Sequence, residues 1–339
     1  MLSAPILIAI AVGVCVAIGI GLWLSKSSAQ SPYQNFGDET SPAESAFGSS
    51  APAALTRNGN RGRFDLSELA KRLALPQQQL EDHAPTYRIA SVPKPSGGVR
   101  RLEIPDDSTK SLQRTLLKRL LQALDAHPLA CGFEEGASIV DAALPHQNKR
   151  VIVKMDIRNF FESTTAERVQ KWFEAIGWDS KTAGLLARLT TNEGHLPQGA
   201  PTSPRLSNLI NAPLDYALLQ LARKHKGHYS RYADDITMSF DFVRGRKLRG
   251  LTQVVRRILR SYGYSMHGGR KLRIFRQNQR QLVLGLVVNS KVNLPRKTRR
   301  WLRAVRHRFD QGKPITISEA QLLGWESLAH MVKTQRDEA

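Results

Sequence analysis

Tyr232-Ala233-Asp234-Asp235 constrains this chain more than any other stretch. Its two adjacent carboxylates separate two runs with strand character, His228 to Tyr232 and Ile236 to Phe240. Neighbouring side chains in a strand point to opposite faces. Two adjacent Asp that converge on one point therefore belong at the bend of a hairpin, where the alternation breaks. Clustered carboxylates oppose each other's ionisation unless a cation sits among them, and hard oxygen ligands select Mg2+ or Mn2+. Taken alone, the tetrapeptide reads equally well as a solvated turn between two strands.

A third acid shifts the balance. Val151-Ile152-Val153-Lys154-Met155-Asp156 reads as a β-branched strand ending in an acid, followed by Ile157-Arg158-Asn159-Phe160-Phe161. With the Asp pair this gives three carboxylates, enough to hold two divalent ions. Two ions roughly 3.5–4 Å apart can stabilise both oxygens of an in-line phosphoryl displacement. Between the acids lies Leu196-Pro197-Gln198-Gly199-Ala200-Pro201-Thr202-Ser203-Pro204, whose Pro and Gly fix a loop. An apolar helical pattern follows at Leu206, Leu209, Ile210, Leu214 and Leu218. Backbone so placed can pack under a nascent base pair.

In this order the three segments resemble the A, B and C motifs of reverse transcriptases. The span from about Tyr87 to Val332 is similar to a bacterial reverse transcriptase of the retron type. Supporting stretches are Val92 to Arg101, Cys131-Gly132-Phe133 with Ser138-Ile139-Val140, and Leu284 to Asn289. The resemblance implies an α+β right-hand polymerase fold, with a palm of antiparallel sheet, helical fingers and a short helical thumb. It assigns Asp156, Asp234 and Asp235 as catalytic ligands of two Mg2+ ions (Mn2+ as the substitute), with the backbone carbonyl of Ile157 touching metal. Phe161 matches the aromatic under the incoming sugar that excludes a 2′-hydroxyl, although either Phe160 or Phe161 can be plain core. Gln198 matches the amide that reaches the incoming nucleotide, or else caps its own loop. Lys94, Arg100 and Arg101 flank a Gly97-Gly98 turn like the fingers hairpin that clamps a triphosphate; a basic edge touching template phosphate fits Arg101 as well. Lys271 resembles the lysine that protonates departing pyrophosphate, or belongs to a solvated basic turn. Gln281 to Asn289 resembles the primer-grip strand pair. Retron enzymes carry Asn-Ala-x-x-His and Val-Thr-Gly stretches associated with their own structured RNA; here Ala142-Ala143-Leu144-Pro145-His146 and Val283-Leu284-Gly285 stand in those places.

The 339 residues carry a formal charge of +21. Lys26 and Arg57 against Asp38, Glu39 and Glu44 leave the first sixty at −1, so the remainder carries +22. Such a basic field suits a duplex-binding groove and salt-dependent affinity. Cys15 and Cys131, the two cysteines, offer neither a disulfide framework nor zinc spacing.

Ile6 to Leu24 contains no charge and at 1.5 Å per residue spans about 28 Å as a helix, near bilayer thickness. Residues 1–5 lack the Lys or Arg of a cleaved signal, so the run reads as one transmembrane helix. Lys26 and the basic chain beyond place residues 25–339 in the cytoplasm. The expected organisation is an anchor over 1–25, a flexible linker over 26–62, fingers and palm over 63–290 and a thumb over 291–339. Phe64 to Leu75 reads as an amphipathic helix capped by Asp65 or Ser67. Leu112, Leu116, Leu117, Leu120, Leu121 and Leu124 recur at helical spacing. Pro295 to Arg308 reads as a basic thumb helix, with Trp301, Leu302, Val305 and Phe309 as its packing face, for the minor groove of a template–primer hybrid; a solvated basic helix is the alternative.

The expected function is an RNA-directed DNA polymerase at the inner face of a bacterial inner membrane. Its partners are an RNA template, the RNA–DNA hybrid, dNTPs and the membrane through residues 6–24, with a structured non-coding RNA and an effector protein in phage defence. The rivals are an intron- or repeat-associated reverse transcriptase and an inactive RNA-binding scaffold tethered to the membrane.

Overall fold

The computed structural model describes residues 64–338, apart from 95–96, 243–244 and 269–270. The apolar run 6–24 and the linker 26–62 lie outside the described residues. Among the described residues no helix is long and apolar enough to cross a membrane.

The first part is mostly helical. Helix α1 (Leu66–Leu73) starts where the Asp65 carboxylate accepts the Glu68 amide at 2.9 Å, and ends at Ala74 in the left-handed region. Helix α2 (Gln77–Asp82) follows, then a hairpin of β1 (Tyr87–Pro93) and β2 (Val99–Pro105). Helix α3 (Asp107–Leu116) widens into a π turn over Leu117–Leu121 and stops there. The leucine spacing carried on to Leu124, but that side chain lies past the helix. Helix α4 (Ile139–Ala143) then leads to β3 (Val151–Arg158). Two more helices, α5 (Ala166–Ala175) and α6 (Ser180–Thr190), close a core with Leu69, Leu73, Leu116, Phe173 and Leu186.

The pattern from Leu206 to Leu218 is two helices, not one. Helix α7 (Ser203–Ile210) breaks at Asn211, and α8 (Ala212–Lys224) restarts with Pro213 in its first turn. Proline there lacks only an amide that a helix start leaves unpaired anyway. The break turns the chain toward the sheet.

Strands β4 (Gly227–Tyr232) and β5 (Asp235–Phe240) form the hairpin expected around the Asp pair. Helix α9 (Gly245–Ser261), β6 (Ser265–Met266) and β7 (Arg273–Arg276) follow. The sheet runs β4-β5-β3-β6, with β7 also on β3, all antiparallel. Alternation along β3 sorts the molecule into two sides. Val151, Val153, Met155 and Ile157 pack with Leu214 and Leu218 of α8 and Leu251, Val255 and Leu259 of α9. Ile152 packs on the other face with Val140, Val283, Leu286 and Val332. Lys154 and Asp156 share the parity of Ile152, so they stand on the face away from α8 and α9. A one-residue slip of β3 would expose four core side chains, at about 1.5–3 kcal/mol each, and bury Asp156. The core therefore fixes where that acid sits.

Strands β8 (Leu282–Val283) and β9 (Leu286–Val287) make a tight hairpin in which Leu284 and Gly285 both have positive φ. Helices α10 (Arg296–Asp310) and α11 (Glu319–Asp337) pack on each other through Leu302, Val305 and Leu322, with Trp301 and Trp325 edge to face at 5.7 Å. The packing face read from Trp301, Leu302, Val305 and Phe309 is thus in place. Helix α11 also reaches the start of α4, where the N-cap Ser138 Oγ donates to Gln335 Oε1 at 2.7 Å.

His146 is fully buried, Nδ1 on Ser239 Oγ at 2.7 Å and Nε2 on Ser230 Oγ at 2.8 Å. It fastens the segment after α4 to β4 and β5, so in this structure it is core rather than an exposed RNA contact. Burial holds its pKa at about 3, with nearby His228 and lysines adding to the shift. The unfolded chain takes up a proton near pH 6.5 that the fold refuses until about 3. The neutral imidazole therefore contributes stability fully above 6.5, and this is lost as pH falls, at up to about 1.4 kcal/mol per unit. His146→Gln is expected to lower stability at pH 8, with the gap from wild type narrowing below pH 6.5 in urea titrations. A gap constant with pH would refute the linkage.

Candidate active site

The register of β3 and β5 sets Asp156 directly opposite Asp235. Asp234 occupies the two-residue turn, with Tyr232 paired to Asp235 across it. Ala233, the other turn residue, sits at φ +55, a conformation costing a non-glycine residue about 1–2 kcal/mol. Two backbone bonds tie the turn and its neighbour to β3: the Ile157 amide donates to the Asp234 carbonyl at 2.9 Å, and the His267 amide to the Asp156 carbonyl at 2.8 Å. The Ile157 side chain is core. Asp156 and Asp235 are thus cross-strand partners, with Asp234 in the turn beside them.

Cations already lean on them. Lys271 Nζ lies 3.0 and 3.1 Å from the two Asp156 oxygens, His267 Nε2 3.5 Å from Asp156, and Lys154 Nζ 3.9 Å from Asp235. Gly269 and Arg270, beside Lys271, lie outside the described residues. Burial first, then the charges of Asp156 and Asp235, push the Asp234 carboxyl up to about 6. Burial likewise raises Asp235, against the pull of Lys154. Burial and then Lys271 hold His267 below its usual value, with Arg158 and Lys94 adding to this and Asp156 opposing it. Lys94 is therefore close enough to His267 for its charge to be felt there. Among the described residues no group of three acids, His or Cys is arranged to hold a metal ion; Asp156 is paired with Lys271, and Asp235 lies 3.9 Å from Lys154. The donor set itself, three carboxylates of which Asp234 and Asp235 resist ionisation chiefly through burial, suits hard divalent cations.

Beneath the turn is a network that the sequence did not announce. Arg231 is fully buried and donates to both Asp215 oxygens, at 2.7 and 2.6 Å. It donates further to Asn208 Oδ1 and to the Ala233 carbonyl, each at 3.1 Å. Burial works against its charge, but Asp215 more than offsets this and its pKa rises. Asn208 in turn donates to the Gly132 carbonyl at 2.5 Å and to Glu134 at 2.6 Å. A Cβ on Gly132 would lie 2.8 Å from the Ala233 amide, so only glycine lets this loop rest against the turn.

The aromatics separate by burial. Phe160 is core, stacked on Tyr264 at 5.6 Å. Phe161 is half-buried, 6.3 Å from Phe133, which is itself 6.0 Å from Tyr232. Of the two candidates Phe161 is the one not fully committed to the core. Phe133, exposed and at φ +65, completes a row that sequence reasoning missed.

The Gln198 loop is held by β2. The Glu103 amide donates to the Gln198 carbonyl at 2.9 Å. The buried Glu103 carboxylate accepts from Asn192 at 2.8 Å and meets His195 Nε2 at 3.1 Å. Gly199, at φ +135, would bring a Cβ to 2.9 Å from the Glu103 carbonyl. Arg101 shares the parity of Glu103 and pairs with Glu193 at 3.3 Å, while Arg100 stands on the opposite face of β2. The Lys94 amide and carbonyl both bond across the hairpin tip, to Gly98 and Gly97; Pro95 and Ser96 lie outside the described residues.

A family model described as reverse transcriptase (RNA-dependent DNA polymerase) matches residues 92–288. Retron Mx65 reverse transcriptase of Myxococcus xanthus is 36% identical over 279 residues, 76% of this chain and 65% of that protein. Retron Mx162 reverse transcriptase of the same organism is 33% identical over 313 residues, 80% of this chain and 64% of that protein. Retron Ec86 reverse transcriptase of Escherichia coli is 33% identical over 244 residues, 71% of this chain and 75% of that protein. The chain therefore spans a little under two thirds of the length of the two Myxococcus proteins.

The raised Asp234 carboxyl has a measurable consequence. The fold keeps its proton between pH 3.8 and about 6, where the unfolded chain has lost it. Ionised Asp234 therefore destabilises the metal-free protein above pH 6, by on the order of 3 kcal/mol. In EDTA, Asp234→Asn is expected to raise the denaturation midpoint at pH 8 but not at pH 4. Added Mg2+ is expected to stabilise wild type and to do so far less in the variant. Equal midpoints at pH 8 would mean that burial and the neighbouring acids do not oppose ionisation of Asp234.

Proposed function

The chain belongs to the reverse transcriptase family, and on that premise we propose that it is an RNA-directed DNA polymerase of the retron type. The observation that carries this is the pairing of Asp156 with Asp235 beside the Asp234 turn, with the Gln198 loop tied to β2 at Glu103. Two Mg2+ ions bound by Asp156, Asp234, Asp235 and the Ile157 carbonyl would stabilise the attacking and leaving oxygens of nucleotidyl transfer. The chain's own groups divide the rest of the work. Lys94, Arg100 and Arg101 on the hairpin orient the triphosphate of the dNTP. Lys271, released from Asp156, gives a proton to the departing pyrophosphate. Phe161 shuts out a 2′-hydroxyl, and Gln198 reaches the sugar.

In this reading residues 63–290 are fingers and palm, and 291–339 the thumb. An RNA template and its RNA–DNA hybrid lie against α10, where Arg296, Lys297, Arg300 and Trp301 line an open groove. Residues 1–25 anchor the protein in a bacterial inner membrane, with 26–62 as a flexible tether and the catalytic part in the cytoplasm. A structured non-coding RNA and an effector protein are its partners in defence against phage. Support for that role is the likeness to proteins named as retron reverse transcriptases, and for the anchor the uncharged run Ile6 to Leu24.

Primer extension on an RNA template tests the chemistry. Asp235→Asn is expected to abolish dNTP incorporation with the fold intact, and full activity would sink the mechanism. In the same assay Phe161→Val is expected to raise the ratio of kcat/KM for rNTP over dNTP, and an unchanged ratio would remove Phe161 from sugar selection. Membrane fractionation with a carbonate wash tests the anchor. Full-length protein should stay with the membrane and a form lacking residues 1–25 should wash free yet still extend primers. Retention of the truncated form would place the attachment elsewhere.

A further inference from the structure

Helix α9 has two faces, and only one is used by the fold. Leu248, Leu251, Val255 and Leu259 are buried against the sheet and α8. Opposite them Arg246, Arg249, Arg256, Arg257 and Arg260 fall on one exposed stripe, with Lys247 at its edge. From Arg246 to Arg260 the stripe is about 21 Å long at 1.5 Å per residue. The helix contains no Asp or Glu. Among the described residues no acid lies within ion-pair distance of any of these six cations.

The stripe lies on the wrong side of the molecule to serve the acids. Helix α9 packs on the sheet face of Val153, Met155 and Ile157, whereas Lys154 and Asp156 stand on the other. We propose that α9 is a second nucleic-acid surface, which takes the phosphate backbone of a double-stranded segment of RNA while the primed template occupies the opposite face. Five of the six cations are arginine, whose planar fork matches phosphate oxygens two at a time. An extended rank of guanidinium groups suits a strand of evenly spaced phosphates, read by shape rather than sequence. A membrane surface fits less well. A helix lying on lipid buries its apolar face there, and that of α9 is already used in the core. No large apolar residue within 245–261 is exposed.

The choice of RNA rests on the polymerase reading above, but the test reads binding and does not need activity. The full chain is compared with Arg249→Glu/Arg256→Glu/Arg260→Glu, and with the same three positions changed to Gln in case the reversed charges impair folding. Binding of a short blunt-ended RNA duplex is measured over a range of salt, with saturating primed template present. Wild type is expected to hold the duplex alongside the template. The variants are expected to bind it at least about tenfold more weakly at low salt, with a salt slope smaller by about 2–3, since each phosphate contact contributes about 0.7–0.9. Extension of a short primed template should be unchanged. Unaltered duplex affinity and slope would overturn the proposal, as would displacement of the duplex by the template from wild type. Loss of binding to anionic phosphatidylserine vesicles with RNA binding intact would make the stripe a membrane contact instead. If wild type fails to extend primers yet the stripe still binds RNA, the polymerase reading falls and this surface stands.

Discussion

Arg231 and Asp215 face each other without solvent contact, one on β4 and the other in the first turn of α8. Replacing such a pair by apolar groups can be neutral, but removing one partner leaves a buried charge at a cost of about 3–5 kcal/mol. Here the pair also carries shape. Tyr229 donates its hydroxyl to the same Asp215 oxygen at 2.6 Å, and the remaining guanidinium donors reach Asn208 and the Ala233 carbonyl. One buried cation thus connects α7, α8, β4 and the turn that presents Asp234. The unfavourable φ of Ala233 is tolerated because its carbonyl is held from below and the Gly132 loop presses from the side. The acids are placed by the packing beneath them.

Above the sheet the electrostatics run the other way. Burial first, and then the charges of Asp156 and Asp235, hold the Asp234 carboxyl up, at the expense of the metal-free fold. Lys271 and Lys154 soften this without removing it, since both are partly solvated and such pairs are worth little. The site therefore keeps an unmet demand for positive charge, while the buried pair beneath it has every charge answered. Mechanical definition and chemical reactivity come from two layers of one hairpin.

Much of this was legible in the sequence where the physics is local. The turn between two strands, the acid after a β-branched run and the Asp65 cap each follow from neighbours a few residues apart. What could not be read depends on distance along the chain. Glu103 meets His195 across 92 positions, and His146 meets Ser230 across 84. Neither carries a local signature that separates it from an ordinary polar residue. Arg231 looked like one more charge in a basic strand, although a charged residue amid an otherwise buried pattern hints at a partner. The single helix read from Leu206 to Leu218 failed because apolar spacing continues through Asn211 while the backbone does not. Helix α3 failed in the opposite way, the leucines continuing past a π turn. The ends and breaks of helices are set by tertiary packing, which periodicity does not see.

Alternation along β3 has one further consequence for charge. The excess of +22 beyond residue 60 reads from composition as one basic field, but the sheet divides it. Sheet and helix layers stack about 10 Å apart, and the screening length at physiological salt is about 8 Å. Cations on the outer face of α9, a full layer behind the acids, are therefore largely screened from a triphosphate in front of them. In the reading proposed above the hairpin cations and α10 serve the acid side, and α9 serves the face behind it. Two basic surfaces separated by more than a screening length would bind ligands nearly independently. Charge added or removed on one changes little at the other, whereas the uniform field suggested by composition would have coupled them.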